Sequence, residues 1–133
     1  MENSDAKTKL LIVEDEPDIA NALAIYGRKA GYEVLVASDG FQAIEIGIRE
    51  RPAVVLLDIS LPGMDGRDVM VRLQNAGVTK EAVVIFVTAR DSQNDRLLGL
   101  ELGADDYETK PLHFSMLFSK IARLLEKKQS GAI

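Results

Sequence analysis

Five short apolar runs, each followed by a stretch of helical periodicity, constrain this chain more than any other feature. They are Lys9–Val13 (KLLIV), Tyr32–Ala37 (YEVLVA), Ala53–Ile59 (AVVLLDI), Ala82–Thr88 (AVVIFVT) and the shorter, more polar Ala104–Glu108. A continuous apolar run of this length suits a strand buried on both faces, as in a parallel sheet. After Pro17, where a first helical turn tolerates proline, Ile19, Leu23, Tyr26 and Ala30 recur at helical spacing until Gly31. Further helices are predicted over Phe41–Glu50 and Arg67–Ala76, through Leu97 to Gly103, and over His113–Lys127. This alternation implies a parallel sheet with helices on both faces, and right-handed crossovers leave few topologies.

The 133 residues suffice for one buried core. Residues 1–8 read as a disordered polar lead-in, 9–127 as the domain and 128–133 as a frayed tail. A net charge of −5 gives no basic footprint, so direct nucleic-acid binding is not expected. With no cysteine and a single histidine, His113, disulfides and thiolate or histidine metal sites are not expected either. No run approaches the roughly 18 apolar residues of a membrane span, and the polar start lacks a secretory h-region. The expected location is the cytosol.

In open α/β sheets, ligands bind beyond the carboxyl ends of the strands. The first run ends in Glu14-Asp15, the third at Asp58, the fourth at Thr88, and the fifth leads into Lys110-Pro111. The second offers only Ser38. Crowded carboxylates repel and call for a cation. Hard oxygen ligands without His or Cys suit Mg²⁺. Held by Asp15 and Asp58, such an ion leaves a carboxylate oxygen of Asp58 free to attack phosphorus. The metal, the Lys110 ammonium and the Thr88 hydroxyl then neutralise the transferring oxygens. Taken singly, Asp15 reads equally as a cap of the first helix, Glu14 as a solvated charge, Thr88 as a β-former and Lys110 as a surface lysine. Asp58 resists such a reading, because an acid closing an apolar strand is costly if buried without a partner.

Four segments carry a resemblance: Leu11-Ile-Val-Glu-Asp-Glu16, Val55-Leu-Leu-Asp-Ile-Ser-Leu-Pro-Gly-Met-Asp-Gly66, Val87-Thr-Ala89, and Gly103-Ala-Asp-Asp-Tyr-Glu-Thr-Lys-Pro111. Over residues 9–127 the chain resembles the response-regulator receiver domains of two-component signalling. The resemblance implies a flavodoxin-like, doubly wound five-stranded sheet of order 2-1-3-4-5 with five helices. It makes Asp58 the phosphoacceptor, supplied by a sensor histidine kinase or a small phosphodonor. Asp15 becomes a direct Mg²⁺ ligand with Asp58 and the backbone carbonyl of Ser60, while Glu14 acts through water. Lys110 is implied to pair with the phosphoryl group, with a cis bond to Pro111, and Thr88 and Tyr107 to form the switch pair. In that switch the threonine hydroxyl moves to the phosphoryl oxygen and the ring turns inward, altering the surface of the fourth helix, fifth strand and fifth helix, roughly residues 91–127.

The Gly103–Tyr107 stretch is similar to regulators with winged-helix DNA-binding outputs, whose receivers pair as homodimers through that surface with the help of an acid early in the fifth helix. Here Met116 stands at that position, within apolar Phe114–Phe118, so the expected contact surface is more apolar; Met116, Leu117 and Ile121 also read as core. An aspartyl-phosphate hydrolase of the haloacid dehalogenase type needs a second acid where Ser60 stands, and no glycine-rich phosphate cradle is present for a nucleotide binder. A receiver fold serving only as a docking module is a further alternative. The chain ends soon after the fifth helix with no output domain, as expected of a single-domain regulator or the receiver part of a longer protein.

Overall fold

The computed structural model describes residues 6–131. Residues 1–5 of the expected lead-in and 132–133 of the expected tail lie outside the described residues, and 6–8 carry no regular secondary structure. The chain then runs β1 (Lys9–Val13), α1 (Pro17–Lys29), β2 (Glu33–Ala37), α2 (Gly40–Glu50), β3 (Val54–Leu57), α3 (Gly66–Asn75), β4 (Val83–Thr88), α4 (Gln93–Glu101), β5 (Asp106–Thr109) and α5 (Phe114–Ser130). The strands form one sheet in order β2-β1-β3-β4-β5. Every pairing is parallel. The fold is thus the flavodoxin-like α/β sheet that the motifs imply.

Successive residues of the central strands point into opposite cores. Leu11, Val13, Val55, Leu57, Val84 and Phe86 pack with Ala43 of α2 and Val69, Met70 and Leu73 of α3. Leu10, Ile12, Val54, Leu56, Val83 and Ile85 pack on the other side with Leu23 of α1 and Leu117 and Ile121 of α5. Both faces being covered, the strand sequences read as unbroken apolar runs rather than alternating ones. Side-chain caps begin three of the helices: Asp39 accepts from the Gln42 amide at 2.8 Å, Asp65 from that of Arg67 at 2.8 Å and Ser92 from that of Asp95 at 3.0 Å. Each such cap contributes about 1 kcal/mol.

Two boundaries differ instructively from the sequence reading. β5 begins at Asp106, not at residue 104, because Asp105 engages β4 with its side chain as well as its backbone. Its carboxylate accepts the Val84 amide at 2.8 Å while its own amide donates to the Val84 carbonyl at 2.7 Å. The frayed tail expected from residue 128 is corrected for 128–130, which continue α5. Lys128 anchors this last turn, donating to the Ala82 carbonyl at 2.7 Å and pairing with Asp105 at 3.2 Å. Gly131, at φ 74°, then ends the helix in a left-handed conformation. Leu117 and Ile121 are core, whereas Met116 is 68% exposed and belongs to the surface.

Candidate functional site

The register decides which residues meet at the carboxyl edge. Val13 of β1 lies opposite Leu57 of β3, so the residues that follow, Glu14-Asp15 and Asp58, emerge side by side. This is where the sheet order reverses direction, β2 lying to one side of β1 and β3 to the other. Thr88 pairs with Thr109, which brings Lys110 to the same edge, its amide donating to the Thr88 carbonyl at 2.9 Å; the bond from Lys110 to Pro111 is cis.

Asp58 is 3% exposed and Glu14 2%. Each is held at both oxygens. Asp58 Oδ1 accepts the Ser60 amide at 3.1 Å, and its Oδ2 lies 3.1 Å from Lys110 Nζ. Glu14 Oε2 accepts the Glu16 amide at 3.1 Å, and its Oε1 lies 2.9 Å from Lys110 Nζ. Burial pushes the Glu14 carboxyl above its ordinary range, with Lys110 working against that shift. Burial also opposes the charge on Lys110, but hydrogen bonds to Glu14, Asp58 and Glu16 outweigh it and raise its pKa. These partners favour the charged form of Lys110.

Glu14, Asp15 and Asp58 each offer a carboxylate oxygen, all within 4.8 Å of one another, with Asp15 exposed. Asp15 does not cap the first helix: the capping position belongs to Glu16, whose side chain makes no cap hydrogen bond. With Glu16 included, four carboxylates gather at this edge, three of them against the ammonium of Lys110. Such an all-oxygen, net-anionic set has the donor chemistry and charge that suit a hard divalent cation.

Thr88 is fully buried, and its hydroxyl oxygen accepts the Arg90 amide at 3.3 Å. Tyr107 is also fully buried, its ring in the inward position and its hydroxyl donating to the Arg90 carbonyl at 2.7 Å. Phe86 lies 6.1 Å away between ring centroids and the Arg96 guanidinium 5.5 Å above the ring. Gly99 of α4 lets that helix settle onto the ring, since a Cβ there meets Tyr107 Cδ2 at 2.9 Å.

The sequence reading missed three participants. Glu16 reaches Lys110 at 3.1 Å; the signal was the third acid of Glu14-Asp15-Glu16, read only as a pair. Arg90 supplies the carbonyl that fixes Tyr107. Asp95 gathers Arg90 at 3.2 Å and Arg67 at 3.7 Å, linking the start of α3 to α4; no local pattern announces a pairing across loops. Conversely, a surface hollow of about 800 Å³, lined by Arg51, Pro52, Val78, Lys80 and Lys128, lies at the amino ends of the strands, away from the carboxylates.

A parallel sheet of this order, with acids at its reversal point and a lysine preceding a cis-proline, has the architecture of a receiver. The chain belongs to the response regulator receiver domain family, whose model matches residues 10–122. It is 46% identical over 120 residues to the sensory transduction protein RegX3 of Mycolicibacterium smegmatis, covering 90% of this chain and 51% of that protein. The chain thus spans about half the length of the curated relatives it matches. A CheY-like response regulator receiver domain protein from Methanospirillum hungatei superposes with a TM-score of 0.88 at 26% identity, covering 95% of this chain and 99% of that one. The receiver domain of the sensor histidine kinase PA1611 from Pseudomonas aeruginosa superposes at 0.83 with 30% identity, covering 91% and 99%, and carries a magnesium ion in its active site cleft. Among the described residues, no helix is long and apolar enough to cross a membrane.

Proposed function

We propose that Asp58 accepts a phosphoryl group from a sensor histidine kinase, or from a small phosphodonor, in a Mg²⁺-dependent reaction that the domain itself assists. One observation carries this reading: a buried carboxylate closes the central strand, with an ammonium 3.1 Å from one oxygen and two further acids beside it. Asp15, Asp58 and the Ser60 backbone carbonyl hold the ion, and Glu14 acts through water. When bound, Mg²⁺ supplies neutralising charge to the transferring oxygens. The chain's own residues do the rest. Asp58 forms the new bond to phosphorus, Lys110 stays protonated and pairs with a phosphoryl oxygen, and the Thr88 hydroxyl donates to another.

The phosphoryl group adds roughly −1.5 to −2 of charge next to these groups. That charge favours the arrangement in which the Thr88 hydroxyl turns toward Asp58 and the Tyr107 ring stays inward, and it resets the surface formed by α4, β5 and α5. Exposed Leu97, Leu98 and Met116 support an apolar contact there, including pairing with a second receiver. Lys120 is already engaged by Asp106 and Glu108 of its own chain. By its family the domain works in the cytoplasm. It controls an output domain or partner protein and does not bind nucleic acid itself.

Intact-mass measurement after incubation with acetyl phosphate and Mg²⁺ tests the assignment. Wild type is expected to gain one phosphoryl group and Asp58→Asn none. An equal gain in both removes Asp58 from the role; no gain in wild type favours a docking module.

A further inference from the structure

The geometry points to Glu16 as a positioning residue for this reaction: its exposed carboxylate occupies one donor of the Lys110 ammonium and must surrender it to the incoming phosphoryl group, so that Glu16 slows phosphorylation of Asp58. The inference rests on the reading of Asp58 as phosphoacceptor.

An ammonium has three N–H donors. Around Lys110 Nζ stand three carboxylate oxygens, Glu14 Oε1 at 2.9 Å, Glu16 Oε1 at 3.1 Å and Asp58 Oδ2 at 3.1 Å, so no donor is in reserve. The three acids are not equally replaceable. The side chains of Glu14 and Asp58 are 2% and 4% exposed, and a buried carboxylate stripped of its cation is costly. That of Glu16 is 59% exposed, and water readily takes over from Lys110 there. A phosphoryl oxygen competing for Lys110 therefore displaces Glu16 first.

The local backbone favours this arrangement. Glu16 is the residue before Pro17 and sits in extended conformation at φ −84° and ψ 112°. The proline at the first helical position leaves one amide fewer to cap, and the Glu16 carboxylate makes no cap bond. It instead spans 94 positions of sequence to reach Lys110. Glu16 also places a negative charge in the path of an anionic phosphodonor.

In the reaction the Asp58 oxygen–phosphorus bond forms as the donor's phosphorus–oxygen bond breaks. Acetate leaves with the bonding electrons, and Lys110 changes hydrogen-bond partner without losing its proton. Removing the Glu16 carboxylate spares the system one exposed ion pair before the transition state. Converted from the worth of such pairs, this is an acceleration of about two- to fivefold.

The test follows phosphorylation of the full chain by intact mass over a series of acetyl phosphate concentrations at saturating Mg²⁺. Glu16→Gln is expected to raise the limiting rate, not merely lower the half-saturating donor concentration. The same substitution in a Lys110→Ala background is expected to change that rate little. An unchanged limiting rate in Glu16→Gln overturns the proposal, and so does an equal gain with and without Lys110, which reduces Glu16 to a repelling charge. Where Lys110→Ala reacts too slowly to time, the NMR signal of the Lys110 ammonium replaces it. Glu16→Gln must shift that signal, and an unmoved signal also overturns the proposal. The Asp58→Asn control keeps the two readings separate. Labelling of Asp58→Asn at the wild-type rate, or no labelling of wild type, defeats the phosphoacceptor assignment and takes this inference with it. A normal wild type with an indifferent Glu16→Gln defeats this inference alone.

Discussion

Replacing Gly66 by alanine isolates the closest backbone approach at the site. Gly66 opens α3, and its amide donates to the Ile59 carbonyl at 2.8 Å, pulling the helix start beneath the residue that follows Asp58. A Cβ placed there stands 2.0 Å from the Asp58 carbonyl oxygen, 2.7 Å from Ile59 Cα and 2.8 Å from the Asp58 carbonyl carbon. Favourable contacts between carbons lie near roughly 3.5–4.0 Å. All three obstacles are backbone atoms, so no rotamer change relieves them and the β3–α3 loop must move. Overpacking of this kind costs about 3 kcal/mol. Alanine returns at most about 1 kcal/mol of helix propensity, less at a first position than in an interior. The net loss of about 2 kcal/mol lowers the urea midpoint by about 1 M. The same movement displaces the carbonyl of Asp58 itself, and a misplacement of about 1 Å is expected to slow acetyl phosphate labelling by tenfold or more. Urea titration and intact mass read the two effects separately. A Gly66→Ala protein with an unmoved midpoint and wild-type labelling refutes the claim that this contact positions the acceptor.

Gly99→Ala poses the same steric problem against movable atoms. Its Cβ meets Tyr107 Cδ2 at 2.9 Å and Phe86 Cδ2 at 3.0 Å, so the ring is expected to swing outward while stability changes by about 1 kcal/mol or less. Retention of the Tyr107–Phe86 contacts by NMR counts against this. Lys110→Ala is expected to keep Mg²⁺ binding but to weaken the phosphorylation-induced response of the α4, β5 and α5 surface; an undiminished response contradicts the proposed switch. Glu14→Gln removes a carboxyl whose pKa burial raises. The native state binds that proton more readily than the unfolded chain, so the contribution of Glu14 to stability falls as pH rises from its ordinary value of 4.5 through the raised one. Metal-free Glu14→Gln is therefore expected to gain stability over wild type most clearly above that window, and to bind Mg²⁺ more weakly. An equal stability difference at all pH values argues against it.

How far the fold was legible follows from what each residue responds to. Two-sided burial leaves a local mark, so the apolar runs of β1, β3 and β4 stood out directly. β5 was harder, because its four residues are mostly polar and Asp105 pairs with Val84 through a side chain just before the ladder begins. The end of α5 was misread because its last turn, rich in Lys127, Lys128 and Gln129, is held by the reach of Lys128 to Ala82 across 46 positions. The acids at the strand ends were legible for the opposite reason: a carboxylate closing an apolar run is conspicuous. Glu16 was not, since an exposed acid before Pro17 reads as a helix start until the fold delivers Lys110 beside it.

The strand order supports the proposed route from Asp58 to α4. β1 and β3 adjoin, so Asp58 gains its acids from one neighbour, while its cation comes from beyond the other neighbour, on the segment that follows β5. Lys110 stands three residues after Tyr107 on that segment, and the Tyr107 hydroxyl reaches back to Arg90, two residues after Thr88. On the proposed reading, charge added at Asp58 acts on the two ends of one circuit, Lys110 through its ammonium and Thr88 through its hydroxyl, with Tyr107 joining the two segments and lying against Gly99 of α4. An acceptor at the end of β2 would lack this circuit, because β2 is the far edge strand and its end touches neither β4 nor β5. In the proposed switch, the central position of Asp58 is therefore what would let a local change in charge reach the exposed leucines of α4.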